Sequence, residues 1–167
     1  MLVAHLPIPL LAAMCALLSL GGCATAGRPA ADAAPAFYVM RHLHTPQGER
    51  DPDLTAEGQA AAERLPARLA AHPPRAIYVT QWKRTQQTAA PVAARLGLTP
   101  IRYDAADLDG LVARARAERG PVLIVGHSNT VPDIIGRLGG VRPADLSHPD
   151  FGDVWIIHPD GRTETAD

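Results

Sequence analysis

"PVLIVGHSNTVPDIIGRLGG", Pro121–Gly140, decides the fold. The first six residues form an apolar run that reads as a buried strand. Gly126, His127 and Ser128 interrupt it, and residues 129–140 read as a helix. A strand that runs through a short polar turn into a helix is the repeating unit of α/β proteins.

The same unit recurs upstream. "AFYVM" (36–40) reads as a strand and "TAEGQAAAERLPARLAAH" (55–72) as a helix. Thr55 is placed to cap that helix, and Pro66 is expected to kink it. "AIYVT" (76–80) is a second strand, and residues 83–97 form a helix that ends at Gly97. "PIRY" (100–103) is a short strand, followed by a helix over 105–120. Downstream, "DVWIIH" (153–158) reads as a strand that enters the turn Pro159-Asp160-Gly161. The expected fold is a three-layer α/β/α sandwich with a mainly parallel central sheet.

In such sheets a ligand sits beyond the carboxyl ends of the strands. The residues just past each predicted strand are therefore the ones to inspect. They are Arg41 and His42, then Thr80 and Arg84, then Asp104, then Gly126 and His127. Two histidines and two arginines on one rim suggest a phosphate site, because a guanidinium fork matches phosphate oxygens. One imidazole can attack phosphorus, and the other can stabilise charge on the equatorial oxygens. The helix after "GHS" offers the amides of Ser128 and Asn129 to the same region.

These residues resemble the histidine phosphatase (phosphoglycerate mutase-like) superfamily. "VMRHLHT" resembles its Arg-His-Gly signature, and "DPDLTAEGQAAA" the segment that follows it. "VTQWKRTQQTAAPVAARLGL" resembles the block Ser-x-x-x-Arg-x-x-Gln-Thr-Ala, with Thr80 in the Ser position and Arg84 as the Arg. "VLIVGHSNTVPDIIGRLGG" resembles the block that carries the second His. The resemblance implies that His42 is the nucleophile and becomes a phosphohistidine. It implies that Arg41, Arg84 and a protonated His127 hold the phosphoryl group, with Ser128 and Asn129 beside it. No metal and no cofactor is implied, because these groups supply the positive charge. The reaction implied is metal-independent hydrolysis of a phosphorylated small molecule or phosphopeptide.

Two positions depart from the family pattern. Leu43 stands where Gly or Ala is preferred, which is expected to narrow the pocket beside His42. His44 stands where Glu or Gln is common. The general acid is also atypical. Some members carry an Asp directly after the second His, where this chain has Ser128. Others use an acid after the third strand, where "RYDAADL" offers Asp104 first and Asp107 second. Asp104 is the acid expected here, with Glu49 and Asp133 as outsiders. A phosphohistidine or an anhydride has a good leaving group and would need no acid.

Blander readings stand beside these. Ser128 and Asn129 are equally good helix caps. Arg102, Arg114, Arg116 and Arg119 read as exposed charges, and His72, His148 and His158 as structural or exposed. "HLH" also resembles the His-x-His pair of metal-dependent hydrolases, with His127 and Asp104 as further ligands. An adjacent arginine repels a cation and argues against that reading. A phosphoryl-binding protein without turnover is the other alternative. Mutase activity would call for a second phosphate site and a lid, and the chain shows no long insertion.

Composition narrows the partners. The 167 residues carry a net charge of −1, with a pI near 6.6. Nothing in that balance favours a nucleic acid. Aromatics are only 4% of residues, so the core must be built mainly from Ala, Leu, Val and Ile.

The first segment reads as a targeting signal. It is apolar from Leu6 to Leu20, and "LGGC" at 20–23 resembles a bacterial lipobox. The expected organisation is a signal peptide over 1–22, an Ala/Pro-rich tether over 23–35, and the catalytic domain over 36–167. Cys23 would carry the lipid. The protein would be an exported, membrane-anchored lipoprotein facing the periplasm or cell exterior. Its n-region departs from the usual pattern, with His5 in place of Lys or Arg.

Overall fold

A computed structural model of the chain describes Met1 and residues 36–166. The predicted signal peptide, the tether and Cys23 lie outside the described residues. Among those described, no helix is long and apolar enough to cross a membrane.

The domain is a mixed α/β fold with a six-stranded central sheet and four helices. In chain order these are β1 (Phe37–Arg41), α1 (Ala56–Arg68), β2 (Ala76–Val79), α2 (Lys83–Leu96), β3 (Ile101–Arg102) and α3 (Leu108–Ala117). β4 (Val122–Gly126), α4 (Val131–Arg137), β5 (Val154–Ile157) and β6 (Thr163–Ala166) follow. The sheet order is β3-β2-β4-β1-β5-β6. The strands β3, β2, β4 and β1 are parallel, while β5 and β6 join antiparallel.

The two-residue side-chain period of the strands builds the layers. Phe37 and Val39 point to one face with Tyr78, Val122 and Ile124, where α3 and α4 bring Leu111, Ile134 and Ile135. Tyr38 and Met40 point to the other with Ile77, Leu123 and Val125, where α1 and α2 bring Leu65, Ala89 and Val92. β1 lies between β4 and β5, so its five residues are buried on both sides. That explains why "FYVM" is an unbroken apolar run. The run can end in Arg41 and His42 only because the sheet's rim begins there.

Local signals explain most boundaries. The Thr55 hydroxyl accepts from the Gly58 amide and starts α1. Gly97 has φ 65° and closes α2 in the left-handed region. The Asp107 carboxylate accepts from the Gly110 amide and starts α3. Helix α1 runs on past Pro66 to Arg68. Helix α4 is shorter than its pattern, because residues 128–130 form a turn before Val131. Strand β6 has no apolar run to announce it. "TETA" is short and polar, and it pairs only with β5 at the sheet edge.

Candidate active site

The rim at the carboxyl ends of β1, β2 and β4 carries an open cleft of about 400 Å³. Arg41, His42 and Arg84 line it, together with the loop residues Gln47, Glu49 and His148.

His42 extends β1 by one ladder bond, donating its amide to the Gly126 carbonyl at 2.9 Å. This bond fixes the backbone from which its ring leaves the sheet. The ring is buried, and Nδ1 lies 2.9 Å from the Leu43 carbonyl. A carbonyl only accepts, so Nδ1 carries the proton and Nε2 keeps its lone pair. Burial pushes the imidazole pKa down to about 3, and the nearby His127, Arg41 and Arg84 lower it further than burial alone. The Leu43 carbonyl opposes that shift without cancelling it. His42 is therefore neutral at pH 7, in the tautomer a nucleophile needs.

Two threonines and two glycines build the wall around it. The buried Thr88 hydroxyl donates to the Arg84 carbonyl at 2.7 Å and accepts from the Leu43 amide at 3.0 Å. It thus pins α2 to the residue whose carbonyl holds the His42 ring. Gly58 lets the first turn of α1 press on the His44 carbonyl, which a Cβ there would meet at 2.5 Å. Gly126 has Thr130 and Tyr103 oxygens within about 3 Å of where a Cβ would stand.

His127 faces His42 edge-on, with ring centroids 5.5 Å apart. Its Nε2 lies 3.1 Å from the Thr80 hydroxyl, which lies 3.0 Å from the Thr85 hydroxyl. Its Nδ1 is buried and has no partner among the described residues. Burial, with Arg84 and Arg41 adding to it, lowers its pKa to about 4. The free protein therefore holds His127 neutral, not protonated as expected from the family resemblance. Two guanidiniums and the burial of the ring work against a third cation.

Arg41 is buried and held by the loop between α4 and β5. One terminal nitrogen donates to the carbonyls of Ser147, His148 and Asp150 at 2.6–3.2 Å. Its guanidinium stacks over Phe151, 4.0 Å from the ring centroid. Its Nε is buried without a partner. Arg84 is more open. It lies 3.8 Å from an Asp51 oxygen and stacks on Trp82.

The structure corrects several expectations. Asp104 is exposed and outside the cleft, its carboxylate capping the Ala106 amide at 2.9 Å. The residue that continues β3 inward is Tyr103, which is buried and bonded to the Val125 carbonyl. The next side chain therefore turns to solvent. Ser128 and Asn129 line a separate depression with Pro132, Arg142 and Asp145. They do so because the turn at 128–130 precedes α4, whose N-cap is Thr130 and whose first residue is Val131. Leu43 does not narrow the cleft. It is 1% exposed and packs into the core between the sheet and α1–α2. His44 stands beside the cleft against Phe151, with Glu57 3.7 Å away. Among the described residues, no three His, Cys, Asp or Glu groups are placed to hold a metal ion.

Sequence reasoning missed Phe151. It touches Arg41, His42, His44 and His148, and so ties four polar side chains together. A lone aromatic in the polar loop "SHPDFGD" was the available signal. Glu49 stood as an outsider among the acids, yet it is the carboxylate that lines the cleft among the described residues.

Comparison with known proteins gives the same direction. Residues 37–107 match the histidine phosphatase superfamily, branch 1. The matched span includes Arg41, His42 and Arg84, while His127 lies beyond it. No curated protein matches the chain. Among solved structures, the chain resembles the protein histidine phosphatase SixA complexed with tungstate (TM-score 0.59, 17% identity). That likeness covers 78% of this chain and 94% of the other. It also resembles YhfR of Bacillus stearothermophilus, with TM-score 0.57 and 23% identity over 78% and 94% of the two chains. A third resemblance is to the mycobacterial glucosyl-3-phosphoglycerate phosphatase Rv2419c. Its TM-score is 0.59 and its identity 16%, over 77% and 95%. These likenesses show the fold.

Proposed function

We propose that this protein is a metal-independent phosphatase that works through a phosphohistidine on His42. The observation that carries the reading is the state of His42: neutral, its Nδ1–H tied to a carbonyl, its Nε2 unprotonated, in a cleft flanked by two arginines.

In the first step the Nε2 lone pair attacks phosphorus and the bond to the leaving group breaks. Nδ1 keeps its proton throughout and donates it in a hydrogen bond to the Leu43 carbonyl. Arg84 and Arg41 hold the equatorial oxygens, which spread the negative charge of the transition state. Arg41 reaches them with the donors its loop carbonyls leave free. His127 joins once the phosphoryl dianion arrives, because a nearby dianion raises an imidazole pKa. Its unpartnered Nδ1 is then a donor. In the second step water attacks phosphorus, the N–P bond breaks, and the electron pair returns to Nε2. Phosphate leaves as H2PO4−, and no cofactor takes part.

The cleft favours substrates that leave easily. An alkyl leaving group needs a positioned acid, and a buried carboxylic acid is the usual source. Asp104 is turned away, and Glu49 is exposed on its loop. A phosphoramidate such as phosphohistidine, or an anhydride, needs little protonation. We therefore favour a phosphorylated protein side chain over an alkyl phosphomonoester.

We further propose that Cys23 is lipidated and anchors the domain outside the cytoplasm. The lipobox-like "LGGC" and the apolar stretch before it support that reading.

The test is a phosphatase assay on wild type, His42→Ala and Arg84→Ala, with and without EDTA. Activity should vanish in His42→Ala, fall steeply in Arg84→Ala and ignore EDTA. Activity that persists in His42→Ala would sink the covalent route, and loss with EDTA would favour a metal. Labelled palmitate should enter the wild type and not Cys23→Ser.

A further inference from the structure

The end of the sheet opposite the cleft has its own chemistry. The chain enters the domain there, at Ala36. The Ala36 amide donates to Ile157 and its carbonyl accepts from Val122, so the entry point is fixed beside the start of β4. Next to it the Arg75 amide donates to the Pro121 carbonyl at 2.7 Å. The Arg75 side chain runs past Gly120, where a Cβ would meet it at 2.8 Å. Arg119 is the neighbouring residue. Arg95, at the end of α2, stands on the same side against Pro73 and Pro74, in a small apolar groove with Leu69 and Leu96.

Arg75, Arg95 and Arg119 are all exposed. None has an ion pair or a side-chain hydrogen bond among the described residues. Carboxylates lie at this end as well, none of them in an ion pair with Arg75, Arg95 or Arg119. Glu118 accepts from the Tyr78 hydroxyl, Asp160 caps the Arg162 amide, and Glu63 lines a depression with Arg95 without an ion pair to it. The opposite rim carries Glu49, Asp51, Asp53, Asp104, Asp107 and Asp150 beside Arg41, Arg50, Lys83 and Arg84. The near-neutral chain thus gathers arginines without ion pairs where residue 36 enters, while the rim mixes carboxylates with the cations of the cleft. Helix dipoles account for Arg95, in the last turn of α2, but not for Arg75, which precedes β2.

We propose that this arginine face lies against an anionic phospholipid surface, with the His42 cleft turned away from it. The inference rests on the membrane-anchor reading for its geometry and on charge complementarity for its partner. Anionic headgroups attract each basic side chain within a Debye length of the surface. A chain of 13 residues, 23–35, reaches at most about 45 Å and so allows contact. The five residues of β1 separate the face from the cleft by roughly 17 Å. A phosphorylated substrate would then approach from the side away from the lipid.

The test uses the full chain reconstituted in phosphatidylcholine vesicles, with or without phosphatidylglycerol. Phenylglyoxal modification is followed at each arginine by mass spectrometry. Phosphatidylglycerol should slow the modification of Arg75, Arg95 and Arg119 at least fivefold, and high salt should reverse this. Arg102, exposed on β3, should react alike in both vesicles. The variant R75E/R95E/R119E should keep full phosphatase activity and lose its preference for anionic over neutral vesicles in flotation. Equal modification in the two vesicles, or a preference that survives the triple reversal, would overturn the proposal. A Cys23→Ser chain added to vesicles from solution separates the two readings. Selective protection there would uphold the face even if palmitate never enters Cys23, and its absence there would count against the face.

Discussion

Thr88→Val tests how the His42 ring is held. Thr88 is fully buried at the point where α2 meets the end of β1. Its hydroxyl accepts the Leu43 amide and donates to the Arg84 carbonyl. Valine keeps the shape and removes both bonds. The Arg84 carbonyl keeps a helical position and suffers little. The Leu43 amide is left buried without a partner, which costs about 1–3 kcal/mol. For a domain of this size that is a fall in Tm of roughly 4–12 °C. The catalytic effect should exceed the stability effect, because the carbonyl of the same residue holds the His42 ring. A displacement of about 1 Å at a nucleophile can cost on the order of a hundredfold in rate. We expect kcat to fall roughly 10–100-fold with KM little changed. Thr88→Ser keeps the hydroxyl and loses one methyl, about 0.8 kcal/mol, and should retain most activity. Circular dichroism melting and steady-state kinetics on both variants decide the matter. A Val variant that melts within about 1 °C of wild type, or a Ser variant as impaired as Val, would refute the reasoning.

Four further outcomes follow from the same geometry. Because burial holds His42 near 3, it stays neutral well below the ordinary imidazole pKa of about 6.5. With an activated aryl phosphate, activity should persist at pH 5, and a loss centred near pH 6.5 would contradict a pre-neutralised nucleophile. The unfolded chain binds protons at His42 and His127 between about pH 6.5 and their folded values, so stability should fall as pH drops through that window. A Tm unchanged between pH 7 and pH 4.5 would contradict the burial of both rings. Asp104→Asn preserves the Ala106 cap and should leave activity within about twofold, whereas a large loss on alkyl phosphates alone would restore Asp104 as the acid. Phe151→Ala removes the cation–π contact to Arg41, worth about 0.5–2 kcal/mol, and should raise KM several-fold. An unchanged KM would show that the loop carbonyls hold Arg41 without it.

The sequence carried the layer structure because buried parallel strands leave unbroken apolar runs, as at β1 and β4. It carried Arg41, His42 and Arg84 because polar residues that end such runs are costly without a use. It could not carry the positions of Asp104, Ser128 and Asn129. Those depend on where a turn ends and a helix begins, and shifts of one or two residues reverse a side chain's direction. The bury-or-expose choice at Leu43 was also invisible. The strand period alone did not say that the chain leaves the sheet there and drops Leu43 into the core. Phe151 was unreadable for a different reason: its contacts come from elements more than a hundred residues apart in the chain.

The most direct measurement is rapid-quench labelling with a 32P-phosphorylated substrate, followed by mapping of the labelled peptide. The label should sit on His42, be stable to base and labile to acid, and decay at least as fast as steady-state turnover. It should be absent from His42→Ala. A label on any other residue, or full turnover with no label on His42, would contradict the account.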